Sequence, residues 1–194
     1  MSESGGDSAA GLDRLFGDML RDGWLSGMDV GVDVAMARMD GETGLFNRVH
    51  FESLVDRSIG DTRMGRVRRD GDGPAEGNVA VLSVRIDNWG SVTAAVTDQE
   101  EASIVARVGE AMKGAFRVDD VMGRLRDDVF GLLLRGCPTD MLQTIADRCL
   151  ADLAEMRVRT DAGWVVVDAR ASWAEFDGTG TGISLVADSF KSLN

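Results

Sequence analysis

One apolar run limits the folds open to this chain more than any other feature. Residues 78–86, NVAVLSVRI, are rich in β-branched side chains and hold no alternating polar residues. A strand of this kind is usually buried on both faces, so the run predicts the central strand of a sheet with layers on both sides. The chain of 194 residues is long enough for one well-packed domain plus an extension.

The elements on either side of this strand complete the expected fold. The runs VMGRL and VFGLLL flank a polar turn at 126–128 and predict a β-hairpin. Residues 98–116 and 139–156 have apolar side chains at helical spacing and predict two amphipathic helices. Residues 163–176, GWVVVDARASWAEF, predict one long strand, and 182–193 predict a closing helix. The order predicts an α/β (α+β) sandwich, a mostly antiparallel sheet flanked by helices.

The N-terminal part of the chain differs in character from the rest. Residues 1–10 are small and polar, which predicts a disordered terminus, and 11–38 predict a helical extension to a domain at 39–194. A short helix is expected near 30–38. The extension either packs on the domain or acts as a dimerising or signal-transmitting helix, and its short apolar stripe without heptads favours packing. The glycine- and arginine-rich residues 60–78 predict a solvated loop.

Composition excludes several functions. A net charge of −12 disfavours binding to nucleic acid and to anionic membranes. No apolar run is long enough for a membrane span, and no signal peptide is evident. The two cysteines, Cys137 and Cys149, are not in a zinc or disulfide pattern, which indicates reduced thiols and a cytoplasmic location. His50 is the single histidine, so no histidine-based triad or zinc site is expected from this chain alone.

Several separated motifs resemble one family. DGETGLFNR at 40–48 resembles the D-x-L-T-G-L-x-N-R opening of the GGDEF (diguanylate cyclase) family, and VLSVRIDNW resembles the strand that ends in its D-I-D-x-F. RVDDVMGRLRDDVF, starting at 117, resembles R-x-x-D followed by the signature hairpin. The resemblance covers about residues 38–190 and implies the fold of nucleotidyl cyclases. Its strength lies in the order of the motifs, since each alone is weak.

The resemblance also shows which catalytic positions differ. Family members join two GTP molecules, with carboxylates that hold metal ions and a glycine turn that approaches the phosphates. Here Arg85 occupies the position of the family's first metal-binding aspartate. In the signature, Arg126 and Asp127 replace the two glycines, and Val129 replaces the second acidic residue. Asp128 and Phe130 are retained in the signature RDDVF. These changes imply a degenerate, inactive domain with no metal and no other cofactor.

The new arginine leads to a structural expectation. Arg85 would lie beside the turn, where its guanidinium can pair with Asp128 and with Asp127. The alternative is that Arg85 points to solvent without a partner.

The regulatory motif of the family is intact. In the family, R-x-x-D before the hairpin binds the product cyclic di-GMP as an inhibitor, with help from an arginine on the next helix. These positions fall on Arg117, Asp120 and Arg148. An arginine can contact a guanine edge and offset phosphate charge, and an aspartate can accept from guanine N–H groups. The resemblance therefore implies a regulatory receptor for cyclic di-GMP with an unidentified protein partner. Because the ligand usually binds as a stacked dimer, it would also be able to bridge two chains in a homodimer.

Other interpretations remain open at this point. Arg117 and Asp120 could form a salt bridge at a helix end, because R-x-x-D arises often by chance in a chain rich in arginine and aspartate. The whole domain could also be a protein-interaction scaffold that binds no nucleotide, or, as a third reading, a residual enzyme or GTP-binding regulator.

Overall fold

The computed structural model describes residues 37–65, 78–94, 96–113, 120–160 and 163–193. The strands are β1 Phe46–Asn47, β2 Val79–Ile86, β3 Val121–Arg126, β4 Val129–Arg135, β5 Arg157–Thr160, β6 Gly163–Val166 and β7 Ala169–Glu175. The helices are α1 Arg48–Arg63, α2 Trp89–Thr93, α3 Asp98–Lys113, α4 Thr139–Glu155 and α5 Gly182–Ser189. The expected N-terminal disorder and most of the helical extension lie outside the described residues, as does most of the loop predicted at 60–78.

Among the described residues, five strands form one sheet in the order β1-β3-β4-β2-β7. Only β1 pairs in parallel with its neighbour; the other three pairings are antiparallel. β2 lies between β4 and β7, so both of its edges are bonded. The predicted α+β sandwich with a mostly antiparallel sheet and a central strand at 78–86 is therefore confirmed.

Side chains of β2 alternate between two cores. Ala80, Leu82, Val84 and Ile86 belong to the core under α3 and α4, whereas Val79 and Val81 belong to the core under α1 and α5. This alternation follows from the two-residue period of a strand. A continuous apolar run thus reflects two covered faces.

Helix α3 begins with a reciprocal cap. The Thr97 hydroxyl accepts from the Glu100 N–H at 3.4 Å, and the Glu100 carboxylate accepts from the Thr97 N–H at 2.8 Å. The hydrogen bond from the Thr97 N–H, joined by that from its hydroxyl, lowers the pKa of Glu100. This capping box fixes the start of the helix that covers one face of the sheet.

The prediction of one long strand at 163–176 is wrong. The chain breaks at Val167 and Asp168: β6 pairs with β5 in a separate two-stranded sheet, and β7 pairs with β2. The Asn88 side chain holds the break, because its amide nitrogen donates to Val166 and its oxygen accepts from the Asp168 N–H. The predicted loop also begins later than expected, since α1 continues to Arg63.

Within the described ranges, no helix is both long and apolar enough to cross a membrane.

Two glycines lie opposite each other under the ring of Phe51. Gly123 of β3 pairs with Gly131 of β4, and Phe51 is fully buried over them. A Cβ on Gly123 would lie 2.9 Å from the Phe51 Cβ and 3.0 Å from the Phe46 carbonyl oxygen. The close approach of α1 to the hairpin therefore requires glycine at this position.

We expect Gly123→Ala to lower the free energy of unfolding by about 1–3 kcal/mol, because it overpacks this contact. Gly60→Ala is the matched control: Gly60 lies inside α1, and apart from its chain neighbours and the backbone of the helix itself, no atom lies within 4 Å of an added Cβ. That change should raise stability by about 0.5–1 kcal/mol through helix propensity. Urea denaturation of both variants measures the difference, and equal stability of the two would contradict the packing argument.

Candidate functional site

The turn between β3 and β4 places its residues in different surroundings. Val129 is 2% exposed and packs in the core under α1 and α5, while Phe130 is 0% exposed and packs in the opposite core. Arg126 and Asp127 are exposed, and Asp128 is partly exposed. The last two signature positions, Val129 and Phe130, therefore serve packing, and the charged ones face outward.

Arg85 connects the turn to the C-terminal end of the described chain. Its Nε lies 3.6 Å from Asp128 Oδ2 and 3.3 Å from Asp87 Oδ1. Its Nη1 donates to the carbonyl oxygen of Leu193 at 2.7 Å. The predicted ion pair between Arg85 and Asp128 is confirmed, while the second carboxylate in the ion pairs of Arg85 is that of Asp87 and not the expected Asp127. The Nε contacts are ionic in distance but not hydrogen bonds in geometry, since this buried atom has no hydrogen-bond partner among the described residues.

Asp87 has a second arginine partner that the sequence did not indicate. Arg170 of β7 donates through Nε and Nη2 to both oxygens of Asp87, at 2.5 and 2.9 Å. Strand register explains the contact, because Arg85 pairs directly with Arg170 across β2 and β7. The hydrogen bond and the charge of Asp87 raise the pKa of Arg170.

The C-terminal turn, residues 190–193 after α5, packs against Arg85 and Arg126. The guanidinium of Arg126 lies 5.1 Å from the centre of the Phe190 ring, a cation–π distance. Two residues before Arg85 on β2, the hydroxyl of Ser83 shares a buried hydrogen bond of 2.6 Å with the hydroxyl of Ser189. Helix α5 and the C-terminal turn are thus held to the sheet by contacts of Ser83, Arg85 and Arg126.

The carboxylates at this place do not suit a divalent metal ion. Mg²⁺ requires several oxygen ligands without a competing cation. Here Asp87 and Asp128 both lie beside the Arg85 guanidinium, and Asp87 is also bound by Arg170. In the described ranges, no group of three or more histidine, cysteine, aspartate or glutamate residues is arranged to hold a metal.

A buried arginine, Arg124, was missed by the sequence reasoning. Its side chain is 6% exposed and forms ion pairs with Glu42, with Asp40 at 3.5 Å and with Glu101 at 3.9 Å. It also donates to the Asp127 carbonyl at 3.3 Å. Burial works against its charge, but Glu42 and Asp40 outweigh this and raise the pKa of Arg124. The signal for this contact in the sequence was an arginine within an apolar strand, together with an acidic loop at Asp40 and Glu42.

The residues predicted to bind cyclic di-GMP lie on two elements. Asp120 is partly exposed and directly precedes β3. Arg148 is exposed on α4, whose buried side carries Leu142, Ala146, Cys149 and Leu153. Arg117 lies outside the described residues.

Comparison with known proteins decides the family. The sequence model of one protein family, described as diguanylate cyclase, GGDEF domain, matches residues 37–172, well over half of the chain. The chain belongs to the GGDEF domain family. No curated protein sequence matches it.

Solved GGDEF domains share the fold at low sequence identity. The GGDEF domain of FimX from Pseudomonas aeruginosa has 17% identity and a TM-score of 0.66 over 79% of this chain and 90% of that one. The GGDEF domain of DgcB from Caulobacter crescentus, solved with c-di-GMP, has 14% identity and a TM-score of 0.68 over 81% and 88%. The DgcB structure that includes its coiled coil has 15% identity and a TM-score of 0.70 over 96% and 88%.

We expect Arg124→Ala to lower the free energy of unfolding by roughly 1–3 kcal/mol, because it leaves a group of carboxylates without their cation at a partly buried place. Arg170→Ala, which removes an exposed ion pair, should change stability much less. Thermal and urea unfolding of the two variants test the difference. A loss for Arg170→Ala as large as that for Arg124→Ala would show that burial does not set the cost.

Proposed function

We propose that this GGDEF domain does not synthesise cyclic di-GMP and instead binds it, as a regulatory receptor, through Arg117, Asp120 and Arg148. The family is that of diguanylate cyclases, so both parts of the proposal concern this member alone. The observation that carries the first part is the position of Arg85, and the R-x-x-D motif carries the second.

The contacts of Arg85 support the absence of cyclase activity. Phosphoryl transfer depends on metal ions that neutralise charge on the triphosphate. A guanidinium that lies 3.3–3.6 Å from Asp87 and Asp128 competes for the oxygens that would bind such an ion. Arg126 and Asp127 also put two side chains where a glycine pair would let backbone N–H groups approach phosphates.

Chemistry and a structural relative support ligand binding. DgcB from Caulobacter crescentus was solved in complex with c-di-GMP, and its GGDEF domain shares this fold. Asp120 and Arg148 are partly or fully exposed, as residues that meet a ligand must be. Arg117 would donate to a guanine edge and offset phosphate charge, while Asp120 would accept from guanine N–H groups. These roles need no metal or other cofactor.

The setting of the proposed receptor follows from the same features. Cys137 and Cys149 are both buried and form no disulfide, which supports a cytoplasmic location. A ligand bound as a stacked dimer would bridge two chains, so binding would promote a homodimer. The signal would then pass to a protein partner. A scaffold that binds no nucleotide is the competing function, and the titration below separates the two.

Incubation with GTP and Mg²⁺ or Mn²⁺ should yield no cyclic di-GMP, because the carboxylates at the turn are engaged by arginine. Chromatographic separation of the nucleotides measures the product. An active diguanylate cyclase assayed in parallel confirms the conditions. Product above a no-protein blank would end the first part of the proposal.

Calorimetric titration of the full chain with cyclic di-GMP should show binding that Arg117→Ala weakens by roughly one to two orders of magnitude. Charge-assisted hydrogen bonds, worth about 1.5–3 kcal/mol each, set this range. Asp120→Ala should weaken binding through loss of the guanine N–H contact. Arg148→Ala should have a smaller effect, because it supports a ligand already held.

Arg159→Ala is the control, since Arg159 is exposed on β5 and has no role in the proposed site. It should bind as the wild type does. No heat of binding for the wild type, or equal affinity for wild type and Arg117→Ala, would favour the scaffold.

A further inference from the structure

The small sheet of β5 and β6 has one covered face and one exposed face. The two strands pair in antiparallel register, with Val158 opposite Val165. Val158 is buried in the core under α3 and α4, and Val165 packs against the same core. Because side chains alternate along a strand, the residues next to these valines point away from the core.

The exposed side holds a row of arginines beside a row of apolar residues. Arg157 of β5 lies opposite Val166 of β6, and Arg159 lies opposite Trp164. Both arginines are exposed, Trp164 is 67% exposed and Val166 is 48% exposed. Single exposed apolar side chains are common on proteins, but two together on one sheet face, bordered by charge, are typical of an interaction surface. These four residues are called the β5–β6 face below.

The arginines of the β5–β6 face have no partner among the described residues. The side chains of Arg157 and Arg159 form neither an ion pair nor a hydrogen bond there, and the nearby carboxylates of Glu155 and Asp168 are not paired with them. A third arginine, Arg107 of α3, donates through Nη2 to the Arg157 carbonyl at 3.0 Å, so it lies at the edge of β5. The face is therefore a local positive surface on a chain of net charge −12, and it complements an acidic partner.

The residue types favour a protein as that partner. Tryptophan and arginine are enriched among the residues that contribute most of the binding energy in protein interfaces. A single-stranded nucleic acid would also stack on an exposed ring and pair with arginine. Its phosphates would continue past this short row, however, and meet a chain of net charge −12, which opposes binding.

The spacing of the two rows fits an amphipathic helix. Side chains on one face of a strand repeat about every 6.6–6.8 Å. Positions i and i+4 of a helix are about 6 Å apart, which is close to this repeat. A helix along β6 would place one apolar row over Trp164 and Val166, and its adjacent row would meet the arginines. Helices already cover both faces of the five-stranded sheet, and this helix would give the small sheet the same kind of second layer.

We propose that the β5–β6 face binds an acidic amphipathic helix of a partner protein. Apolar side chains of the helix pack on Trp164 and Val166, and its carboxylates pair with Arg157 and Arg159. The proposed function leaves the partner of the receptor unidentified, and this inference gives the chemistry of its contact. The face shares no residue with the proposed nucleotide site, so it is tested without cyclic di-GMP and its failure would leave the receptor proposal intact.

Fluorescence anisotropy of labelled synthetic helices, titrated with the full chain, tests the proposal. The acidic probe has about 20 residues, enough for a helix, and carries a leucine stripe beside a row of glutamates. Glutamine replaces every glutamate in the neutral probe. The acidic probe should bind, and added salt should weaken its binding because the arginines are exposed. The neutral probe should bind about ten-fold more weakly or worse, since the charge pairs are lost.

Substitutions on the face should change binding in a way that loss of folding cannot imitate. Trp164→Ala should weaken the acidic probe by about ten-fold or more, as expected for a central aromatic contact. The double substitution Arg157→Glu/Arg159→Glu should abolish binding of the acidic probe and create binding of a probe with lysine at every glutamate position. Arg159→Ala should weaken the acidic probe while the affinity for cyclic di-GMP stays unchanged, which separates the two sites.

The matched controls lie on α1 and α5, which pack on the other face of the five-stranded sheet. Arg57→Ala removes an exposed arginine, and Ile183→Ala removes an apolar side chain that is 57% exposed. Both should bind the acidic probe as the wild type does, with circular dichroism confirming the fold of every variant.

Three results would each overturn the proposal. The first is no binding of the acidic probe by the wild type at about 100 μM, which is weaker than a specific interface requires. The second is a loss in either control as large as that in Trp164→Ala. The third is a labelled single-stranded oligothymidylate that binds more tightly than the acidic probe and depends on Trp164, because the face would then serve nucleic acid.

Discussion

The alternation of β2 side chains between two cores is the constraint on which the rest of the structure depends. Both edges of β2 are bonded and both faces are covered, so each of its residues has a fixed direction. The row that faces α1 and α5 starts with Val79 and Val81 and continues to Ser83 and Arg85. Its polar end meets Ser189 and Leu193. The register of one strand thus places a guanidinium between the signature turn and the C-terminal turn.

Charge at the signature turn is balanced within the chain itself. Arg85 lies beside Asp87 and Asp128, Arg170 binds Asp87, and Arg126 lies over Phe190. These groups are partly exposed, so each pair contributes little to stability alone, about 0–1 kcal/mol for a pair such as that of Arg85 and Asp128. Their larger effect is to occupy carboxylate oxygens and to attach the C-terminal turn. On the other side of the hairpin, Arg124 forms ion pairs with Asp40 and Glu42 and so attaches their loop to β3.

Sequence periodicity predicted the elements whose neighbours are also regular. The central strand, the hairpin and helix α4 are confirmed, because burial on a fixed face leaves a repeating pattern. The break after β6 was missed because Val165, Val166 and Val167 form one apolar run. The signal for the break lies in Asn88, a residue 80 positions away, whose side chain bonds both sides of it. The pair of Asp87 and Arg170 is likewise a consequence of strand register. Arg85 and Asp128 could be predicted because the family resemblance supplied the missing alignment.

Helix α4 connects the proposed ligand site to the core of the domain. Arg148 lies on its exposed side, while Leu142, Cys149 and Leu153 are buried on the other side. A ligand bound by Arg148 would affect the rest of the domain through α4 only if the contacts of this helix differ between the free and the bound state, since a coupling needs different contacts in each. The buried residues anchor α4 to the core and limit that difference to small shifts of the helix as a unit.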